Sequence, residues 1–156
     1  MINIEIPGYG NLHIKNVLID YNGTIASEGK LIPSLKNIIE KLSKKVNLYV
    51  ITADTFGTVS KEIENFPIEI IKIEKENERQ QKVEALKKLG SQNTISYGNG
   101  NNDKLIIKES VIGICIMGDE GCSRETLEEA DLVINSIEKG LLLLLDENKL
   151  KATLRY

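Results

Sequence analysis

Short aliphatic runs alternate with charged, amphipathic stretches along nearly the whole of this chain, and that alternation restricts it to one class of fold. Val17-Leu18-Ile19, Val46 to Ile51, Ile68 to Ile73, Thr94 to Tyr97, Val111 to Met117 and Leu132-Val133-Ile134 are short, nearly continuous and rich in β-branched residues. That is the pattern of strands buried on both faces. Helical stretches lie between them. Pro33 opens one with Leu35, Ile38, Ile39 and Leu42 on a single side, and others are expected over 55–65, 76–89, 103–110, 123–130 and 136–145. Gly90 stops the third of these and Ser123 caps the fifth. Strand–helix alternation predicts an α/β fold: a central parallel sheet with helices on both faces. Ahead of it Ile2, Ile4 and Ile6 alternate with polar residues, Pro7 to Asn11 is turn-like, and Leu12 and Ile14 alternate again. This predicts an N-terminal β-hairpin. With no repeat, linker or low-complexity tract, residues 1–156 read as a single domain, long enough for one hydrophobic core.

Composition narrows the functional classes. Trp is absent and aromatics make up 4% of the chain, so the core must be aliphatic. The net charge is −3 and no basic stripe stands out, so nucleic acid is not an expected partner. The lysines at 41–45 and 87–88 fall where helices should end and favour the negative pole of the helix dipole. Met1 to Ile6 alternates and carries Glu5, unlike a signal peptide. The longest apolar run, Leu141 to Leu145, is far too short to span a bilayer and reads as the buried face of a C-terminal helix. No membrane insertion and a cytoplasmic location are the expectations. Cys115 and Cys122 are too few for a disulfide framework; Cys115 reads as a core residue and Cys122 as part of a Gly-rich loop. His13, the sole histidine, lies in the hairpin and is given no catalytic role.

In parallel sheets of this kind ligands bind at the carboxyl ends of the strands. Asp20-Tyr21-Asn22-Gly23-Thr24 follows the first sheet strand, Thr52-Ala53-Asp54 the second, and Gly98-Asn99-Gly100-Asn101-Asn102-Asp103 the fourth, while Lys82 lies near the start of a helix. Taken singly, each is an ordinary turn or a solvated helix face. Together they bring a carboxylate, a hydroxyl, an ammonium and an amide–carboxylate cluster to one sheet edge. Phosphoryl transfer asks for such a set: an in-line nucleophile, a cation for the equatorial oxygens and donors that fix the phosphoryl group.

In this order the four segments resemble the haloacid-dehalogenase-like (HAD) superfamily, whose fold is Rossmann-like, and the resemblance covers nearly the whole chain. Asp20 to Thr24 is similar to the family's Asp-x-Asp-x-Thr and to the Asp-Lys-Thr-Gly-Thr of P-type ion-pumping ATPases. Thr52 resembles the Thr or Ser of its second motif, and Thr52-Ala53-Asp54 the pumps' Thr-Gly-Asp. Lys82 resembles the third-motif Lys, and Gly98 to Asp103 the fourth motif, Gly-Asp-Gly-x-Asn-Asp. The soluble P-type ATPase-like phosphatases are the subgroup it resembles most.

The resemblance implies a Mg²⁺-dependent phosphatase-type enzyme in which Asp20 forms an aspartyl-phosphate. Thr52, Ala53 and Lys82 would hold the phosphoryl group. Asp20, the carbonyl of Asn22, Asn99 and Asp103 would hold the metal, with Gly23, Thr24, Asp54, Gly98, Gly100 and Asn102 in support. Two departures predict slow turnover. Asn22 stands where many relatives carry the Asp that acts as general acid and base, a role worth roughly 10²–10⁴-fold. Asn99 stands where the family has Asp, which removes a negative charge from the Mg²⁺ site. A regulatory module that binds phosphate or metal without turnover is the alternative. Ile25 to Ile32 is too short for a cap domain, and Ile73 runs almost directly into the Lys82 helix. An uncapped, open site is therefore expected, suited to a large phosphorylated substrate or to a homo-oligomer.

Overall fold

The central strand of the computed structural model, which describes residues 1–54 and 57–156, is the one that ends on Asp20. This strand, β3 (Asn16–Asp20), is buried throughout. The hairpin β1 (Ile2–Ile6) and β2 (Gly10–Ile14) precedes it as a separate antiparallel pair. After β3 come a two-residue-per-strand hairpin, β4 (Ala26–Ser27) and β5 (Lys30–Leu31), then α1 (Lys36–Ser43), β6 (Asn47–Thr52), α2 (Thr58–Ile63) and β7 (Glu69–Lys72). The second half runs α3 (Glu78–Leu89), β8 (Thr94–Gly98), α4 (Lys104–Glu109), β9 (Ile112–Ile116), α5 (Arg124–Glu128), β10 (Leu132–Ile134), α6 (Ile137–Leu142) and α7 (Glu147–Leu154).

The six-stranded sheet has the order β10-β9-β8-β3-β6-β7 and every pair is parallel. The chain builds outward from β3 through β6 to β7, then crosses back to lay β8, β9 and β10 on the other side. A crevice opens beside β3 where the winding reverses, the usual place for a ligand in an open α/β sheet.

The period of two along each strand divides the core. Val17, Ile19, Val50, Ile95, Tyr97 and Ile114 face a layer containing the hairpin, α1 and the C-terminal helices, packed by Leu35, Ile39, Leu42, Ile137, Leu141 and Leu150. Leu18 and Ile51 face the opposite layer, where Val83, Ala85 and Leu86 of α3 and Ile106 and Ile107 of α4 cover them. Each fully buried Leu or Ile here contributes roughly 1.5–3 kcal/mol relative to exposure.

Several expectations are corrected. The helix expected over 136–145 stops at Leu142, and a further helix, α7, follows with Leu150 as its buried anchor. The helix expected over 55–65 is Thr58–Ile63, with Thr55 and Phe56 outside the described residues. Cys115 and Cys122, expected unpaired, are joined by a disulfide. Cys115 is buried in β9, and the loop after that strand folds back over its end, which brings Cys122 to it. The connection from β3 to α1 holds only the small β4–β5 hairpin, and residues 73–77 join β7 to α3, so no cap domain is present at either place.

Candidate active site

Strand register decides which side of the sheet Asp20 serves. It has the same parity as Leu18, so its carboxylate lies on the α3–α4 side, at the carboxyl end of β3. On α3, Lys82 stands one helical turn before Leu86 and beside Val83, and those two apolar neighbours turn it inward. Its side chain is 1% exposed and its ammonium donates to Asp20 Oδ1 and to Asp103 Oδ1, both at 2.6 Å. Asp103 closes the 3₁₀ turn Asn101–Asp103 that leads into α4. Its other oxygen, Oδ2, accepts from the backbone N–H groups of Asn99 and Gly100 at 3.0 and 2.9 Å. Gly98 permits this closeness, since a Cβ there would sit 2.6 Å from the Asp103 side chain.

Two buried carboxylates and one buried ammonium leave one negative charge uncompensated. Burial, helped by the repulsion of Asp103, pushes the Asp20 carboxyl up to about 7, although Lys82 pulls the other way. Burial works against the charge of Lys82, but the two carboxylates outweigh it and the ammonium is held more firmly than usual. A divalent cation would offset the surplus negative charge, and the donors present suit a hard one: carboxylate, amide and carbonyl oxygens. Among the described residues no three His, Cys, Asp or Glu side chains form a ready ligand cluster.

Thr52, on β6, is level with the residue after Asp20 and is 4% exposed. Its hydroxyl accepts from the backbone N–H of Asp54 at 3.2 Å, which leaves its own proton for another acceptor. Asp54 accepts from Thr58 Oγ1 and the Val59 N–H at 3.2 and 3.0 Å, so it fixes the start of α2. Asp20, Asn22, Thr52, Ala53, Lys82 and Asn99 line one cavity of about 550 Å³, open to solvent, with Asp54, Gly100 and Asn102 at its wall. Asn22 is exposed, while Thr24 is buried. Asn102 donates to Glu78 Oε2 at 2.6 Å, which ties it to α3 at the rim.

Asn99 is 7% exposed and engaged at both ends of its amide. Nδ2 donates to the carbonyl of Gly121 at 3.1 Å, and Oδ1 accepts from Thr24 Oγ1 at 3.2 Å. A carbonyl cannot donate, so the amide orientation is set by Gly121. Sequence reasoning missed Glu120, which lines the same cavity. An acidic residue in a Gly-rich loop carries no periodic signal. His13 lies away from this site, bonded through Nδ1 to Asn3 Oδ1 at 2.7 Å. No helix among the described residues is long and apolar enough to cross a membrane.

No family model matches the chain. Among solved structures it is similar to 3-deoxy-D-manno-octulosonate 8-phosphate phosphatase from Moraxella catarrhalis, in complex with magnesium, phosphate and KDO. The TM-score is 0.72 at 19% identity, over 90% of this chain and 91% of that one. The cobalt-bound form of the deoxy-D-mannose-octulosonate 8-phosphate phosphatase from Haemophilus influenzae gives a TM-score of 0.71 at 12% identity, over 88% of this chain and 90% of that one. The fold is thus HAD-like, as the order of motifs implied. Among curated proteins, an uncharacterized protein of Methanocaldococcus jannaschii is 43% identical over 83 residues, 51% of this chain and 89% of that protein. At that identity and coverage the chain belongs to the same family as the Methanocaldococcus jannaschii protein.

Proposed function

We propose that the chain is a phosphatase-type phosphoryl-transfer enzyme that works through an aspartyl-phosphate on Asp20, with Mg²⁺ as cofactor. The observation that carries this reading is the buried Asp20–Lys82–Asp103 triad beside a solvent-open cavity that Asp20, Lys82 and Thr52 line. A purely structural ion pair has no need of a cavity, and a buried one contributes little net stability. The HAD-like fold and the phosphatase neighbours support the reaction class.

In this reading a carboxylate oxygen of Asp20 attacks phosphorus while the bond to the leaving oxygen breaks, and that oxygen takes a proton from solvent. Lys82 neutralises the nonbridging oxygens, and Thr52 and the backbone after it donate to them. Water then attacks the aspartyl-phosphate, releasing inorganic phosphate and restoring Asp20. Asp20, the Asn22 carbonyl and Asn99 would hold Mg²⁺, with Asp103 locking Asn99 and Gly100 behind it; bound there, the metal supplies positive charge to the transferring group. Asn22 cannot act as acid or base, so the reading favours substrates whose leaving group needs no proton, in a subgroup similar to the soluble P-type ATPase-like proteins.

The test is hydrolysis of p-nitrophenyl phosphate and acetyl phosphate with Mg²⁺, with Asp20→Asn as the inactive control. Wild type should turn over slowly, acetyl phosphate faster than sugar phosphates, and Asn22→Asp should raise turnover by up to roughly 10²-fold. A second reading, a phosphate- or metal-binding regulatory module, is favoured by Asn22 and Asn99. It gains if wild type and Asp20→Asn are equally inert while Mg²⁺ and phosphate still bind.

A further inference from the structure

The place where the donor set is one charge short has an unused carboxylate beside it. Asn99 brings no charge, and its amide is held between Thr24 and Gly121. The bond from Asn99 Nδ2 to the Gly121 carbonyl, together with that from the Ser123 N–H to the Asn99 carbonyl at 2.8 Å, staples the loop after β9 onto the loop after β8. Glu120 is the residue next to that staple. A Cβ built on Gly23 would lie 2.5 Å from Glu120 Oε2 and 2.6 Å from Asn99 Nδ2, so the carboxylate and the nitrogen end of the amide lie over the same backbone point, with Asn99 Oδ1 turned to Thr24. Gly23 adjoins Asn22, and its φ of +74° and lack of a side chain leave that space open. Glu120 lines the Asp20 cavity and also the neighbouring one of about 700 Å³, so it stands on the ridge between them. Its carboxylate forms no hydrogen bond or ion pair among the described residues.

We infer that Glu120 supplies, at the metal position beside Asp20, the carboxylate that Asn99 lacks. This rests on the reading of the site as a divalent-cation site. The charge removed from one strand end is returned from the next, carried by a loop that Asn99 itself anchors. Asp119 and Glu120 are both exposed, but Glu120 lies against Gly23 and lines the Asp20 cavity, whereas Asp119 lines only the neighbouring one.

The experiment is titration with Mn²⁺ alone, followed by calorimetry and by loss of the free-ion paramagnetic resonance signal, so that no turnover is read. Glu120→Gln should weaken Mn²⁺ binding about 10-fold or more, the size found for groups that support a metal site. Asp119→Asn, which changes net charge equally, should leave it within about twofold. In an Asn99→Asp background the loss on Glu120→Gln should shrink to a few-fold, because the missing charge is back. Equal Mn²⁺ affinity in wild type and Glu120→Gln, or equal losses in Glu120→Gln and Asp119→Asn, would overturn the inference and leave the cation site standing. Absence of Mn²⁺ binding by wild type would overturn both. Melting temperatures of the metal-free variants check that each is folded.

Discussion

Lys82 shows what the site costs the fold. Its ammonium satisfies two buried carboxylates, and the surplus charge falls on Asp20. The folded-state pKa of Asp20 is raised, so the native state binds its proton more tightly than the unfolded chain does. The stability linked to that proton is complete below about pH 4 and is lost as pH rises through about 7. Asp20→Asn removes the charge and should stabilise the metal-free protein at pH 8 by on the order of 1 kcal/mol, a rise in Tm of about 2–4 °C. The gain should vanish near pH 4. Thermal denaturation in a chelator at both pH values checks it, and a lower Tm for Asp20→Asn at pH 8 would contradict it. Asp20, Thr52, Lys82 and Asp103 could be placed from the sequence because each sits at a fixed offset from an apolar run. Glu120 could not, because what brings it to the cavity is the Asn99–Gly121 bond, a tertiary contact that no local pattern encodes. The pairing of Cys115 with Cys122 was hidden for the same reason.

Helix against strand is where the α3–α4 layer is tightest. Gly113, in the middle of β9, faces α4 so closely that a Cβ would fall 2.0 Å from the carbonyl oxygen of Ile107. The obstacle is backbone, so no rotamer change relieves it, and the Gly113 N–H is also bound to Asp131 Oδ2 at 2.8 Å. Gly113→Ala should therefore cost about 3 kcal/mol or more, at the upper end of overpacking penalties. It should also loosen the Asn101–Asp103 turn that begins α4. Urea denaturation measures the first effect, and a ΔΔG below about 1 kcal/mol would show that α4 shifts freely. The strands and most helices were readable in sequence because apolar period and length agree for them. The C-terminal helices were not divided correctly, since the Leu141 to Leu145 run looks continuous, whereas α7 packs against β1 of the N-terminal hairpin, a contact between the two ends of the sequence. The β4–β5 pair is two residues per strand, too short to leave an alternation.

At the scale of the molecule, the uncapped cavity leaves Asp20 and Asn22 accessible from one side, and we propose that a neighbouring copy of the chain covers it. Light scattering should give a multiple of 17.4 kDa across working concentrations; a monomer throughout would refute this. The winding of the sheet has another consequence, in the order of synthesis. Asp20 and Thr52 belong to the first half of the chain, Lys82 and Asp103 to the second, and β3 pairs with β6 before β8 exists. A nascent chain that has emerged only as far as β7 carries an unpaired aliphatic edge on β3 and a carboxylate with no counter-ion. Such distant pairings are slow to close and expose edges that invite aggregation meanwhile. The docking of α3 and β8 that ends this exposure also delivers the ammonium, so the closing of the β3 edge and the assembly of the reactive centre are one event.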